Sequence, residues 1–216
     1  MMNKLPPDGY AKTDRAFLHR LFSSPFVALA SHWVFQSILY MDTTERIFKL
    51  LVDVVLTIFI ALLFMAWMPS AFAIILALVI AHTMNFLFNG QLWGILKHYG
   101  YVTYNLAEFF QYLQGFSDRL TDEQAFSSAV VVGGLSQERW APNSDLDIRL
   151  IRLPGIKNGI LASIFTLKER TRALYHKFPL DIYVFDNRKL LFKNYSDESF
   201  CNLQEVVGKF QENQSK

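Results

Sequence analysis

The chain has 216 residues, 52% of them apolar and 19% charged, with 20 phenylalanines. The length suits one or two soluble domains, but so apolar a composition argues against a single soluble one. A net charge of +2 gives no global basic field, so nucleic acid is not expected as the main partner, and the single cysteine, Cys201, excludes an internal disulfide framework.

Residues 1–46 read as a basic and interfacial segment. Its first residues, Met1 to Asp8, lack the continuous apolar core of a cleavable signal peptide. Residues 21–41 carry no charged side chain, yet Pro25, His32 and Gln36 interrupt them and the apolar run from Phe26 is short for a span. This stretch is expected to lie in a membrane interface or to pack on the neighbouring hairpin. A third span is the alternative.

Residues 47–98 read as a transmembrane helical hairpin. Between residues 54 and 96 there is no Asp, Glu, Lys or Arg. The stretch divides at Met68-Pro69-Ser70, and each half approaches the roughly 20 apolar residues that cross a hydrocarbon core as a helix. Lys4, Lys12, Arg15, Arg20, Arg46 and Lys49 precede it and Lys97 comes after it. The positive-inside rule therefore places both ends of the hairpin, and the C-terminal domain with them, in the cytoplasm of a multi-pass cell-membrane protein. Asp53, one turn after Lys49, reads as an interfacial i,i+4 partner for it. His82 reads as a hydrogen bond to the partner helix.

Residues 99–216 read as a soluble α+β domain. Leu106, Phe109, Phe110 and Leu113 have helical spacing, and Gly115 is expected to stop that helix. Ala129 to Val132 is a buried strand ending at Gly133. Asp145 to Leu153 is a second strand, closed by Pro154-Gly155. Ile160, Ile164, Leu167 and Leu174 mark a long helix. Its Lys168, Arg170 and Arg172 read as a solvated face, with anionic lipid headgroups as the alternative. Leu180 to Phe185 is a third strand, and residues 200–210 a terminal helix.

Alternation along the second strand puts Asp145, Asp147, Arg149 and Ile151 on one face and Leu146, Ile148 and Leu150 on the other. Two carboxylates on one face repel each other unless a cation lies between them. Magnesium takes oxygen ligands and leaves room for water and phosphate oxygens. Asp181, in an otherwise apolar strand, is the candidate third ligand and proton acceptor, because a lone ionised carboxylate would be costly there. A strand ending in Gly133-Gly134 can turn tightly and present backbone amides to a triphosphate, with Ser136 as an added hydroxyl donor. Arg149 reads either as a phosphate contact or as neutralising charge. Trp140 reads as packing beside the loop.

A hydrophobic strand (Val130-Val131-Val132), Gly133-Gly134, a loop and then Ser144-Asp145-Leu146-Asp147, with a later acidic strand at Asp181, resembles the minimal nucleotidyltransferase family of the DNA polymerase beta superfamily. The likeness covers roughly residues 101–186 and leaves out the hairpin. It implies a nucleotidyltransferase-like domain with a short mixed β-sheet, preceded here by the N-terminal hairpin. It also implies two-metal phosphoryl transfer, in which Asp145 and Asp147 bind both Mg2+ (or Mn2+) ions and Asp181 completes the catalytic, metal-binding triad. Gly133, Gly134, Ser136, Arg139 and Ser144 would bind a nucleoside triphosphate such as ATP. The arginine-rich loop of many relatives is absent, and Arg139 is the nearby basic side chain. The expected activity is transfer of a nucleoside monophosphate to a hydroxyl or phosphate acceptor. Membrane lipids or lipid-linked glycans are the suggested acceptor class. An antitoxin-like or regulatory enzyme modifying a partner protein, and an Asp-x-Asp glycosyltransferase, remain the alternatives.

Overall fold

The computed structural model describes residues 24–38, 41–89, 92–137, 139–194 and 200–214. Lys4, Lys12, Arg15 and Arg20, on which part of the orientation argument rests, lie outside them. A first helix, α1 (Pro25–Phe35), starts on a proline, whose fixed φ suits a first turn. α2 (Thr43–Phe64) starts at Asp42, whose carboxylate accepts the Thr43 N–H at 2.7 Å. α3 (Ser70–Asn89) comes after the turn at Met68-Pro69. Every fourth residue of α3 from Ala73 to Asn89 is buried, alanine first and then asparagine. Small residues at that spacing let the α2 and α3 backbones approach closely. The outward faces stay apolar and open, as at Val55, Phe59, Leu62 and Ile75. Both helices are long and apolar enough to cross a membrane.

A short helix, α4 (Leu92–Leu96), and a 3-10 turn (Lys97–Tyr99) lead into the sheet domain. α5 (Leu106–Thr121) opens with a capping box between Asn105 and Glu108. The helix does not stop at Gly115. It continues to Thr121; a Cβ at Gly115 would stand 3.1 Å from the Arg119 guanidinium, which reaches Glu169 at 2.7 Å.

The strands β1 (Phe126–Val131), β2 (Leu146–Arg152), β3 (Leu180–Phe185) and β4 (Cys201–Asn202) form one mixed sheet in the order β3-β2-β1-β4. β1 is antiparallel to β2 and β4, and β2 is parallel to β3. The parallel pair is joined by α6 (Ile156–His176), the long crossover that a parallel connection requires. α7 (Arg188–Asn194) and α8 (Leu203–Gln214) complete the domain. β4 was not foreseen: the expected terminal helix begins three residues later, after this two-residue edge. The alternation read in β2 holds. Leu146, Ile148 and Leu150 pack with Phe109, Phe116 and Phe178 in the main core. Ile151 turns to a second cluster with Met41, Tyr183, Phe185 and Leu191.

The hairpin is not a separate tether. The division at residue 46/47 falls inside α2, and the first turn of that helix is built into the sheet. β3 is an edge strand, and its outer N–H groups need partners. Val184 N–H donates to Glu45 Oε2 and Asp186 N–H to Asp42 Oδ2, both at 2.8 Å. Glu45 also pairs with Arg170 of α6, and both side chains are buried. Arg170 further donates to Asn89 Oδ1 at 2.6 Å and to the Ile182 carbonyl. Lys168, Arg170 and Arg172 are therefore not one solvated face. Arg170 is a buried hub, and Arg172 leans on Glu169 at 3.6 Å. Lys49 does not pair with Asp53 either. Its ammonium donates to the carbonyls of Gln36 and Asn89, while Asp53 meets His82 Nδ1 at 3.0 Å across the hairpin. α1 packs on α3, with Trp33 Nε1 donating to Thr83 Oγ1 at 3.1 Å and Gln36 Nε2 to the His82 carbonyl at 2.8 Å.

Removing one member of a buried ion pair leaves the other charged and unpartnered, at a cost of about 3–5 kcal/mol. Glu45→Ala is therefore expected to lower the melting temperature of the detergent-purified protein sharply, whereas Glu205→Ala, at an exposed position of α8, leaves it nearly unchanged.

Candidate active site

Register sets the site. In the parallel pair, Asp147 lies opposite Asp181, Arg149 opposite Tyr183, and Ile151 opposite Phe185. One face of the two strands thus grades from a carboxylate pair, through a cation over an aromatic ring, to an apolar pair. The Arg149 guanidinium stands 4.9 Å from the Tyr183 ring centre. It donates to Asp181 Oδ2 and to the Asp181 carbonyl, both at 2.9 Å. Of the two readings of Arg149, the observed contact is charge neutralisation. Burial pushes the Tyr183 hydroxyl pKa far up, and Ser37 hydrogen-bonds to it.

β1 brings its glycine turn to the same end of the sheet. The Val132 N–H donates to the Asp147 carbonyl at 3.0 Å, and Gly133 then takes a φ of +73°. A Cβ on Gly133 would stand 2.7 Å from Asp147 Oδ2. Two demands coincide at this residue: a left-handed backbone and room for a carboxylate. At Gly134 a Cβ would come within 3.2 Å of the Arg139 carbonyl, because the loop folds back on itself there. The Gln137 and Arg139 N–H groups both donate to the Gly134 carbonyl.

Asp145, just before β2, forms an ion pair with Lys97, whose side chain is 5% exposed. Asp147 therefore has Asp145 and Asp181 on either side. Burial first, then repulsion from Asp145 and Asp181, raises its pKa well above the ordinary carboxylate range, with Arg149 and Lys97 opposing. His32 of α1 lies close enough to feel Asp181. Burial pulls its pKa down and the Asp181 charge partly offsets this.

Gly133, Asp145, Asp147 and Asp181 thus lie at one end of the sheet, with Asp147 nearest the glycine turn. The remaining expected contacts serve the loop. Ser136 Oγ donates to the Gly133 carbonyl at 2.7 Å, and Ser144 Oγ accepts the Ala141 N–H at 2.9 Å. Arg139 is exposed and meets the Gln137 side chain. Trp140 packs edge-on to Phe109 at 6.3 Å. Lys97 and His32 went unread as site residues. Lys97 is the one Lys or Arg between Lys49 and Arg119, and that isolation was its signal. His32 gave none.

Three carboxylates face two basic side chains, and carboxylate oxygens are the donors that a hard divalent cation takes. Among the described residues, no three acidic, histidine or cysteine side chains are already gathered at metal-binding distance. Asp145 is paired with Lys97 and Asp181 with Arg149. No protein-family model matches the chain, and no curated protein matches it.

A left-handed backbone costs a non-glycine residue about 1–2 kcal/mol. Gly133→Ala should add to this the collision with Asp147. In an Asp147→Ala background the collision is gone, so the drop in melting temperature from Gly133→Ala should shrink. Equal drops in the two backgrounds would show that Gly133 and Asp147 are not coupled.

Proposed function

We propose that this chain is a membrane-anchored, magnesium-dependent nucleotidyltransferase with a cytoplasmic catalytic domain. The observation that supports it most is the convergence of Asp145, Asp147 and Asp181 beside the Gly133 turn, with Asp147 against the space a Cβ would fill. The two long apolar helices support the anchor. A mixed sheet with the acidic residues at one end suits a nucleotidyltransferase-like fold.

In this reading Asp145, Asp147 and Asp181 hold the metal. Bound there, it would neutralise the phosphate oxygens and keep the attacking and leaving oxygens in line. The chain supplies the rest. The Gly133-Gly134 turn offers backbone amides to the triphosphate. Arg149 orients Asp181 through two hydrogen bonds. The acceptor oxygen bonds to the α-phosphorus, the bond from that phosphorus to the α,β-bridging oxygen breaks, and pyrophosphate leaves. A hydroxyl acceptor passes its proton to a carboxylate of the trio. The acceptor is proposed to be lipid-borne, since only a short helix separates the hairpin from the site's own Lys97. Only β1 precedes β2 among the described residues, which disfavours a nucleotide-sugar glycosyltransferase, whose fold places several strands before its Asp-x-Asp.

The test is pyrophosphate release from each nucleoside triphosphate by the purified chain, with magnesium and membrane extract. Asp145→Ala and Asp147→Ala should each reduce it by at least about a hundredfold, a loss of roughly 2.7 kcal/mol in transition-state stabilisation. Release equal to that of the unmodified chain would reject the reading.

A further inference from the structure

We infer that Lys97 is a built-in stand-in cation, holding Asp145 in the resting site and leaving it when a divalent metal binds. The inference rests on the reading of Asp145, Asp147 and Asp181 as metal ligands, and goes beyond it by giving Lys97 a role.

Position makes the case first. Lys97 lies eight positions after Asn89, the last residue of α3, and opens the 3-10 turn that leads into the sheet domain. α4 packs on α6, where Trp93 Nε1 donates to the Leu174 carbonyl at 2.8 Å. A lysine put there to face water would be exposed, whereas this ammonium is buried and pairs with Asp145. A flexible four-carbon stem ending in a compact charge can be withdrawn, unlike a forked guanidinium. Arg149 is the contrast, because hydrogen bonds to two backbone carbonyls and to Asp181 tie it in place.

Charge makes the case second. Asp147 is flanked by two like charges, Asp145 and Asp181. A divalent ion would remove that repulsion. It would also make the Lys97 charge a repulsive neighbour, since two cations would then share Asp145. Binding of one ion and pairing of the other are linked, and the linkage is reciprocal. Released from Asp145, the ammonium would be a compact point charge at the acidic cluster, of the kind that suits phosphate oxygens.

The probe is Mn2+ alone, with the full-length chain in detergent. Free Mn2+ is counted by electron paramagnetic resonance, so no turnover is needed. Lys97→Met should bind Mn2+ roughly tenfold more tightly than the unmodified chain, a typical coupling between linked sites. Lys97→Arg, which keeps the charge, should bind no more tightly than it. A second readout needs no variant: acetylation of Lys97 by an amine-reactive reagent, measured by mass spectrometry, should rise several-fold when Mn2+ is added. Unchanged affinity in Lys97→Met, or unchanged acetylation while Mn2+ binds, overturns the inference and leaves the metal reading standing. Absence of Mn2+ binding in every form defeats both.

Discussion

Three carboxylates within electrostatic reach of one another cannot all stay ionised in a half-buried place unless cations lie among them. Asp145, Asp147 and Asp181 are held under that constraint, and their basic partners come from two distant parts of the chain. Arg149 comes from β2 itself, two residues along the same face. Lys97 comes from the far side of the hairpin, 48 positions before Asp145. Its arrival there depends on α4 being seated on α6, and so on where α3 ends. The acidic site and the hairpin are thus parts of one electrostatic unit.

The joint between them is polar and buried, which is unusual for an anchor. Asp42 and Glu45 take up the outer N–H groups of the edge strand β3. Arg170 then ties Glu45 to α3 and to the Ile182 carbonyl. Such a joint contributes less to stability than an apolar one of equal size, because each ion must first lose its water. It offers geometric definition instead. A helix whose first-turn carboxylate must meet particular strand amides has one register, so the hairpin and the carboxylate ladder of β2 and β3 are fixed relative to each other.

The strands were legible because period-two alternation is local. Asp145, Asp147, Arg149 and Ile151 share a face in the sequence pattern, and they share it in the sheet. The hairpin was legible because an uncharged stretch of that length has few other uses. What the sequence concealed was partnership over distance. Asp53 and Lys49 satisfy a helical-neighbour rule, yet Asp53 meets His82, 29 positions away. Arg170 looks like one charge in a basic run, but its partner Glu45 lies 125 positions upstream. Gly115 looked like a helix stop, and its neighbour Arg119 is what uses the space. β4 is too short to carry a pattern. In each case the deciding contact joins elements that nothing in local sequence brings together.

The central claim is that the acidic end of the sheet is a metal and triphosphate site. Its most direct test is a structure of the full chain with Mn2+ and a non-hydrolysable nucleoside triphosphate, the ion located by its anomalous scattering. Mn2+ is expected at about 2.0–2.2 Å from oxygens of Asp145, Asp147 and Asp181, with the phosphates along the backbone of Gly133 and Gly134. Mn2+ and nucleotide bound elsewhere, with Asp145 still on Lys97 and Asp181 still on Arg149, would contradict it.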